Sequence, residues 1–353
     1  MADIMSRLSR ALPPADYTTD EASFCRQLEG RRRDFKPPGA RVFEYKRGAT
    51  TFSVYRATGE DPGAGDYHAR AQCLAPWFIE AADPIDLTDD RWEVFYLFEE
   101  ETTREVLGEK WRPAALAGYF TLFGFRNPVK GVSLRICQAL ILPRFQRQGH
   151  GQALLAYLYD LARSRDSVFE ITVEDPAPGF EKVRNLVDAR TLRDSAAFPA
   201  ELLSPGTFKR PSKEVIQAAH KAVKLTVSQT EIGFDILKAR DLQTAKDSRS
   251  SAARTYLKGT PAPAIVAAGP GPGAAAAAAA VSVSDADEIC EDKRKQYRLM
   301  VKRRLLKRYA EELSTDAPTR KRQLEELYRD LEPGFLSLGA KLLEKKIMVG
   351  VQA

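Results

Sequence analysis

ILPRFQRQGHGQALLAYLYDLARSR, residues 141–165, sets two glycines, Gly149 and Gly151, after an apolar run and ahead of a helical pattern. Downstream, Leu154, Leu155, Leu158, Leu161 and Ala162 recur at three- and four-residue spacing, which predicts an amphipathic helix. Upstream, LRICQALIL (134–142) predicts a strand. A helix start leaves its first amides unpaired and carries about half a positive charge, so it accepts phosphate without any lysine. Glycine at 149 and 151 would let the backbone from Gln148 onward approach such a ligand closely. Taken alone, the turn supports two readings: a phosphate seat, or a strand-to-helix turn that uses glycine only for its conformation. It is neither a GxGxxG fingerprint nor a Walker loop, since no GK[ST] follows.

Around this turn, β-like runs occupy the first half: TTFSVYRA (50–57), EVFYLFEE (93–100), LAGYFTLFGF (116–125) and VFEITVE (168–174). Beyond Pro205 the texture becomes charged and helix-periodic, over residues 213–227, 230–241, 291–312 and 320–330. A Pro/Gly/Ala-rich stretch from Lys258 to Asp287 interrupts it and reads as a disordered insertion. The organisation expected is an N-terminal remnant (1–33), a catalytic α+β domain (34–200), a helical region (201–257), the insertion (258–287) and a basic C-terminal helical region (288–353).

The 353 residues carry 54 Lys and Arg against 48 Asp and Glu, and the charges are segregated. Residues 78–101 hold nine acids and one base, Arg91, which suits a cationic partner. Residues 293–308 hold nine Lys and Arg, read as a solvated helix that doubles as an import signal. The four cysteines are far apart with no CxxC pair, and only three histidines occur, so neither a disulfide scaffold nor a zinc site is expected. No apolar run is long enough for a membrane span.

In FEITVED, Glu170, Thr172 and Glu174 alternate with Phe169, Ile171 and Val173, and Pro176 stops the ladder. Glu174 thus ends a strand on its polar face. That position suits a general base, a carboxylate at a strand end being able to take a proton from a bound group. It equally suits a surface strand end. Cys137 reads as a core strand residue, and no cysteine sits in a nucleophile setting.

Q/R-x-x-G-x-G/A, filled here by Gln146, Gly149 and Gly151, resembles the acetyl-coenzyme A loop of the GCN5-related N-acetyltransferase superfamily. DFKPPG (34–39), YHARAQCLAPWFIEAADPIDLTDDRWEVFYLFE (67–99), GYFTLFGF (118–125), QALILPRFQRQGHGQALL (138–155), ITVEDP (171–176) and QYRLMVKRRLL (296–306) together resemble the type B histone acetyltransferase catalytic subunit. The resemblance implies an α+β fold: a mixed, mostly antiparallel sheet splayed at the acetyl-CoA site, flanked by helices and followed by a C-terminal helical region. It implies acetyl-CoA as cosubstrate, no metal, and transfer to lysines on the tail of newly made, free histone four. Ala139, Leu140 and Ile141 would face the pantetheine arm, with an oxyanion held by backbone amides near Ile141. Gln146, Arg147, Gln148, Gly149, His150, Gly151 and Gln152 would form the pyrophosphate loop, used through its backbone. Glu174 would be the general base with Asp175 beside it, and Glu80 a further acid near the amine. Trp92, Phe123, Gly124 and Phe125 would line the histone-tail side. A WD-repeat histone chaperone is the implied partner, in nucleus and cytoplasm, with no direct nucleic acid and no membrane.

Three departures accompany the resemblance. Only 33 residues precede Asp34, so most of the family's N-terminal domain is expected to be missing from this chain. An aromatic-Asn-aromatic tail contact is replaced by Phe123-Gly124-Phe125. No tyrosine occurs in FEKVRNLVDARTL (180–192), so no proton donor to the leaving thiolate is assigned. The alternatives are an N-acetyltransferase of the same fold for another protein or a small amine, and a histone-binding scaffold without catalysis.

Overall fold

The β-like runs of the first half become strands of one mixed sheet in the computed structural model, which describes residues 18–100, 104–106, 109–111, 114–258, 273–343 and 350–352. The chain divides into two units, Met1–Phe180 with Lys346–Ala353, and Glu181–Lys345. The first ends ahead of the boundary at residue 200 read from composition.

In the first unit, α1 (Glu21–Asp34) starts where the Asp20 side chain accepts from the Ser23 amide at 2.7 Å, an ordinary N-cap. Strands β1 (Ala40–Arg47) and β2 (Thr50–Ala57) form a hairpin, followed by α2 (Ala64–Ala71) and a 3-10 turn (Gln72–Trp77). Then come β3 (Trp92–Glu100), a small hairpin of β4 (Arg104–Val106) and β5 (Glu109–Trp111), β6 (Ala114–Asn127) and β7 (Gly131–Ile141). Helix α3 (His150–Ser164) and β8 (Val168–Val173) complete the core, and β9 (Gly350–Gln352) adds to its edge. The sheet order is β8-β7-β6-β3-β2-β1-β9. Every pair described is antiparallel except β7 with β8. A parallel pair needs a crossover, and α3 supplies it. This is the mixed, mostly antiparallel sheet that the resemblance implies.

Both faces of the sheet are covered. On one, Val94, Tyr96, Phe98, Tyr119 and Leu140 pack with Ala64, Ala71, Ile85 and Leu87. On the other, Phe95 meets Tyr157 of α3 at 6.1 Å and Phe120 meets Phe180 at 5.6 Å. Leu154, Leu155 and Leu158 of α3 are fully buried, as their spacing predicts. At about 1.5–3 kcal/mol each, this burial outweighs the small differences in helix propensity and seats the helix.

The second unit is helical: most of α4 (Pro178–Asp194), then α5 (Ala200–Leu203), α6 (Lys213–Val223), α7 (Val227–Lys258), α8 (Gly273–Arg308) and α9 (Ala317–Lys341). Of the stretch 258–287 read as disordered, 259–272 lie outside the described residues, while Gly273 to Asp287 are helical backbone continuous with α8. Alanine is the strongest helix former, and an existing helix extends into it at little cost. Five of the nine cations of the α8 basic run are held in ion pairs, of which only Arg304 is buried. Arg294 pairs with Glu332, Arg298 and Lys302 with Glu325, Arg304 with Asp235, and Lys307 with Glu231. Among the described residues Lys293, Lys295, Arg303 and Arg308 have no ion pair, Arg308 donating instead to the Ser228 hydroxyl at 3.2 Å. None of the described helices is long and apolar enough to cross a membrane.

Candidate functional site

The turn after β7 is built by alternating backbone hands. Arg147 has φ +60° and Gly149 φ +83°, ψ 9°, both left-handed, while the residue between them is not. Such alternation turns successive amides toward one side, the geometry of an anion nest. Gly149 is the N-cap of α3 and provides no side-chain cap, so the first-turn amides of a 15-residue helix are left for another acceptor. Gln146 and Gln148 buttress the turn: their side-chain amides donate to the carbonyls of Ile141 and Arg144 at 2.8 and 2.9 Å. Arg147 is exposed. His150 turns inward, 1% exposed, with Nδ1 2.7 Å from the Tyr45 hydroxyl and its ring 4.3 Å from Phe52. Burial, and then the positive charge of Arg47, hold its pKa down at about 4, so it is neutral and only its backbone belongs to the turn.

Next to the turn the sheet opens. Pairing between β7 and β8 ends at Ile136 with Val173, closed by the Glu174 amide donating to the Ile136 carbonyl at 2.9 Å. There Asp175 takes φ +28° and Pro176 follows, so the chain leaves β7. Among the described residues, the β8-side edge of β7 from Cys137 to Ile141, including Ala139 and Leu140, has no strand partner, and the Ile141 carbonyl accepts from the Gln146 side chain. These backbone groups lie between Glu174 and the α3 turn, where an extended amide-bearing chain such as pantetheine can add to the ladder. The uncapped helix start and the open strand edge both fit acetyl-CoA.

A β-bulge shapes the same spot. Leu122 pairs with Ile136 but Thr121 with Gln138, leaving Cys137 as the extra residue. The bulge puts Arg135, opposite Phe123, on the same face as Gln138, opposite Thr121. Glu174 shares that face: Arg135 Nη1 lies 3.9 Å from its carboxylate, and the Arg135 guanidinium covers the Phe125 ring at 4.4 Å. Burial, and then Glu174, push the Cys137 thiol up to about 12, so it stays protonated and is no nucleophile. The Glu174 carboxylate is 47% exposed and so open to a substrate amine. Asp175 is also exposed.

Trp92, Phe123 and Phe125 assemble beside it. Trp92 meets Phe123 at 4.6 Å, Phe123 meets Phe125 at 4.6 Å, and Arg91 lies 4.6 Å above Phe123. Gly124 pairs across β7 with Leu134, and its amide donates to the Arg91 carbonyl at 3.0 Å. A Cβ there would meet Val132 at 3.5 Å, ordinary contact, so packing does not require the glycine. Glu80 is exposed on the loop after the 3-10 turn, beside exposed Trp77 and Phe78. Gln138 anchors that loop by donating to the Asp83 carbonyl at 2.8 Å. The loop that carries Glu80 thus reaches β7 at Gln138, and Glu174 meets β7 at Ile136 and Arg135.

Of the acidic run, Asp89 pairs with Arg91, Asp90 with Arg126, Glu99 with Arg144, and Glu93 with Arg56 and Arg165. Glu80, Asp83 and Asp86 have no ion pair among the described residues. Reading the sequence missed Arg135, Arg91 and the bulge. Partner strands define all three, and only the Arg-x-Cys-Gln spacing around Cys137 hinted at them. No group of three His, Cys, Asp or Glu among the described residues is arranged to hold a metal ion.

Known proteins similar to this chain are found by sequence. A family model described as the N-terminus of histone acetyl transferase HAT1 matches residues 1–80. A type B catalytic subunit of Dictyostelium discoideum is 27% identical over 246 residues, 67% of this chain. Those of Mycosarcoma maydis and Homo sapiens are 28% identical over 285 residues and 29% over 256, covering 72% and 70% of this chain. The chain is thus similar to type B histone acetyltransferase catalytic subunits. The matches cover 51%, 62% and 58% of those three proteins, so the chain spans roughly half to three-fifths of the relatives' length. The family match joins residues 1–33 to β1, β2 and α2 in one segment. An aminoglycoside acetyltransferase from an uncultured soil metagenomic sample, solved with sisomicin, has a TM-score of 0.25 at 13% identity. That alignment covers 35% of this chain and 78% of the other.

Proposed function

We propose that this chain is a histone acetyltransferase that transfers acetyl from acetyl-CoA to lysine side chains on the N-terminal tail of newly synthesised, free histone four. The observation that carries the reading is the placement of Glu174 at the point where β8 leaves β7, beside an open strand edge and an uncapped helix start. The amides of residues 148–152 would hold the diphosphate and the free edge of Cys137, Ala139, Leu140 and Ile141 the pantetheine arm. Bound there, acetyl-CoA supplies an activated thioester. Glu174 removes the proton from the lysine ammonium, so that the neutral amine attacks within a ternary complex. Arg135, 3.9 Å away, orients Glu174, and Asp175 and Glu80 add negative charge near the cationic substrate.

Trp92, Phe123 and Phe125 offer an apolar wall for the tail beside Glu174, and unpaired Glu80, Asp83 and Asp86 attract its Lys and Arg residues. The names of the relatives support histone as substrate. A WD-repeat chaperone as partner and a place in nucleus and cytoplasm belong to the same proposal. The test is mass spectrometry of free histones incubated with the protein and acetyl-CoA, with polyamines and aminoglycosides as competing acceptors. Acetyl-lysine on the histone four tail is expected. Turnover of the small amines with inert histones assigns the fold another substrate, and tail binding without transfer makes the chain a scaffold.

A further inference from the structure

The β1–β2 hairpin brings a cation to the Gly149 turn that the loop pattern does not contain. Arg47 ends β1, pairs with Thr50 across the hairpin, and is half-buried. Its guanidinium lies against Gly149. A Cβ built on that glycine would stand 2.5 Å from Nη2 and 3.3 Å from Cζ, so only glycine lets the two approach. The guanidinium also lies 5.8 Å from the centre of the Tyr45 ring, whose hydroxyl meets His150. A planar guanidinium with fixed donors suits a phosphate oxygen better than does the flexible, exposed Arg147 on the turn itself. Its field reaches the turn, since its charge helps keep His150 neutral. Arg144, the other arginine at this end, is directed to Glu99 at 3.7 Å.

We propose that Arg47 is a phosphate-binding residue of the cofactor site, holding an anionic phosphate of coenzyme A together with the first-turn amides of α3. This deepens the acetyl-CoA reading and rests on it. The sequence pattern ascribes phosphate binding to residues 146–152 alone. In this chain the hairpin closes the seat from a second side, about a hundred residues away in sequence.

Isothermal titration of the full chain tests it, with coenzyme A and S-acetylpantetheine, which lacks the phosphates, as ligands for wild type, Arg47→Gln and Arg47→Lys. Losing one charge-assisted contact at a half-buried site is expected to weaken coenzyme A about tenfold in Arg47→Gln. Arg47→Lys should recover part of that affinity, and S-acetylpantetheine should bind all three proteins equally. A flatter salt dependence of coenzyme A affinity in Arg47→Gln belongs to the same result. Equal coenzyme A affinity in wild type and Arg47→Gln overturns the proposal. So does a parallel loss of S-acetylpantetheine, which would mark a damaged hairpin. If wild type binds coenzyme A no better than S-acetylpantetheine, the acetyl-CoA reading of the turn falls, and this inference with it.

Discussion

The Glu174 amide donates to the Ile136 carbonyl at 2.9 Å, and with that bond the parallel register of β7 and β8 closes. One hydrogen bond therefore sets both where the strand edge opens and where the carboxylate stands. Glu174→Gln keeps the backbone bond and removes the base. We expect kcat to fall by roughly 10²–10⁴, the usual contribution of a positioned base, with KM for the peptide little changed. Raising the pH should restore part of the rate, because free amine then forms without help. An unchanged rate in steady-state assays at pH 7 would remove Glu174 from the chemistry.

Two glycines on β6 should respond oppositely to alanine. A Cβ on Gly118 would lie 2.2 Å from the Leu140 carbonyl oxygen and 2.9 Å from Ile141 Cα, backbone atoms at the open edge. Gly118→Ala should cost about 1–3 kcal/mol by overpacking and push β7 out of place, weakening coenzyme A binding. Gly124→Ala meets nothing closer than 3.5 Å and should stay within about 0.5 kcal/mol of wild type. Thermal melts of the two variants, with coenzyme A titrations, check the contrast.

Stability should decline on mild acidification. Burial lowers the pKa of His68, 1% exposed and 3.1 Å from the Tyr96 hydroxyl, to about 4 from 6.5. The folded state thus keeps it neutral while the unfolded chain protonates it. Its contribution is present above pH 6.5 and is lost as pH falls toward 4, at about 1.4 kcal/mol per pH unit. His150 adds a second contribution of the same sign. Burial works against the charge of Glu93, but Arg165 and Arg56 more than offset it and lower its pKa, so its loss comes at lower pH than that of the histidines. Melting temperatures between pH 7.5 and 5 should fall, and His68→Asn should flatten the slope. A wild-type stability that does not change across this range would contradict it.

In the helical unit, Arg304 and Asp235 form an ion pair at 2.6 Å with side chains 3% and 0% exposed. Arg304→Met leaves the buried Asp235 carboxylate with only Arg210, 3.7 Å away, and should cost about 3–5 kcal/mol. Arg304→Met combined with Asp235→Leu removes both charges and should recover most of that loss. Chemical denaturation of the single and double variants measures the coupling.

How much of this could be read from the chain alone differs by feature. Strands β2, β3, β6, β7 and β8 and helix α3 announce themselves because a half-buried strand or helix must place apolar groups at a fixed period. β1 escaped because only Tyr45 of its eight residues is buried and four of the eight, Arg41, Glu44, Lys46 and Arg47, are charged. The turn at Gly149 was visible for a local reason, since left-handed backbone before a helix is a demand on nearest neighbours that glycine meets best.

The sequence by itself determined the periodicities, the glycine turn, the strand-ending Glu174-Asp175-Pro176 step and the segregation of charge, all of which depend on residues close along the chain. Only the tertiary structure decided which partners these groups meet. The Cys137 bulge carries Arg135 to Phe125 and Glu174, the hairpin lays Arg47 on Gly149, and α8 spends most of its cations on acids of α7 and α9. Each of these depends on strand register or helix packing, set by burial summed over distant segments, and no local pattern encodes it.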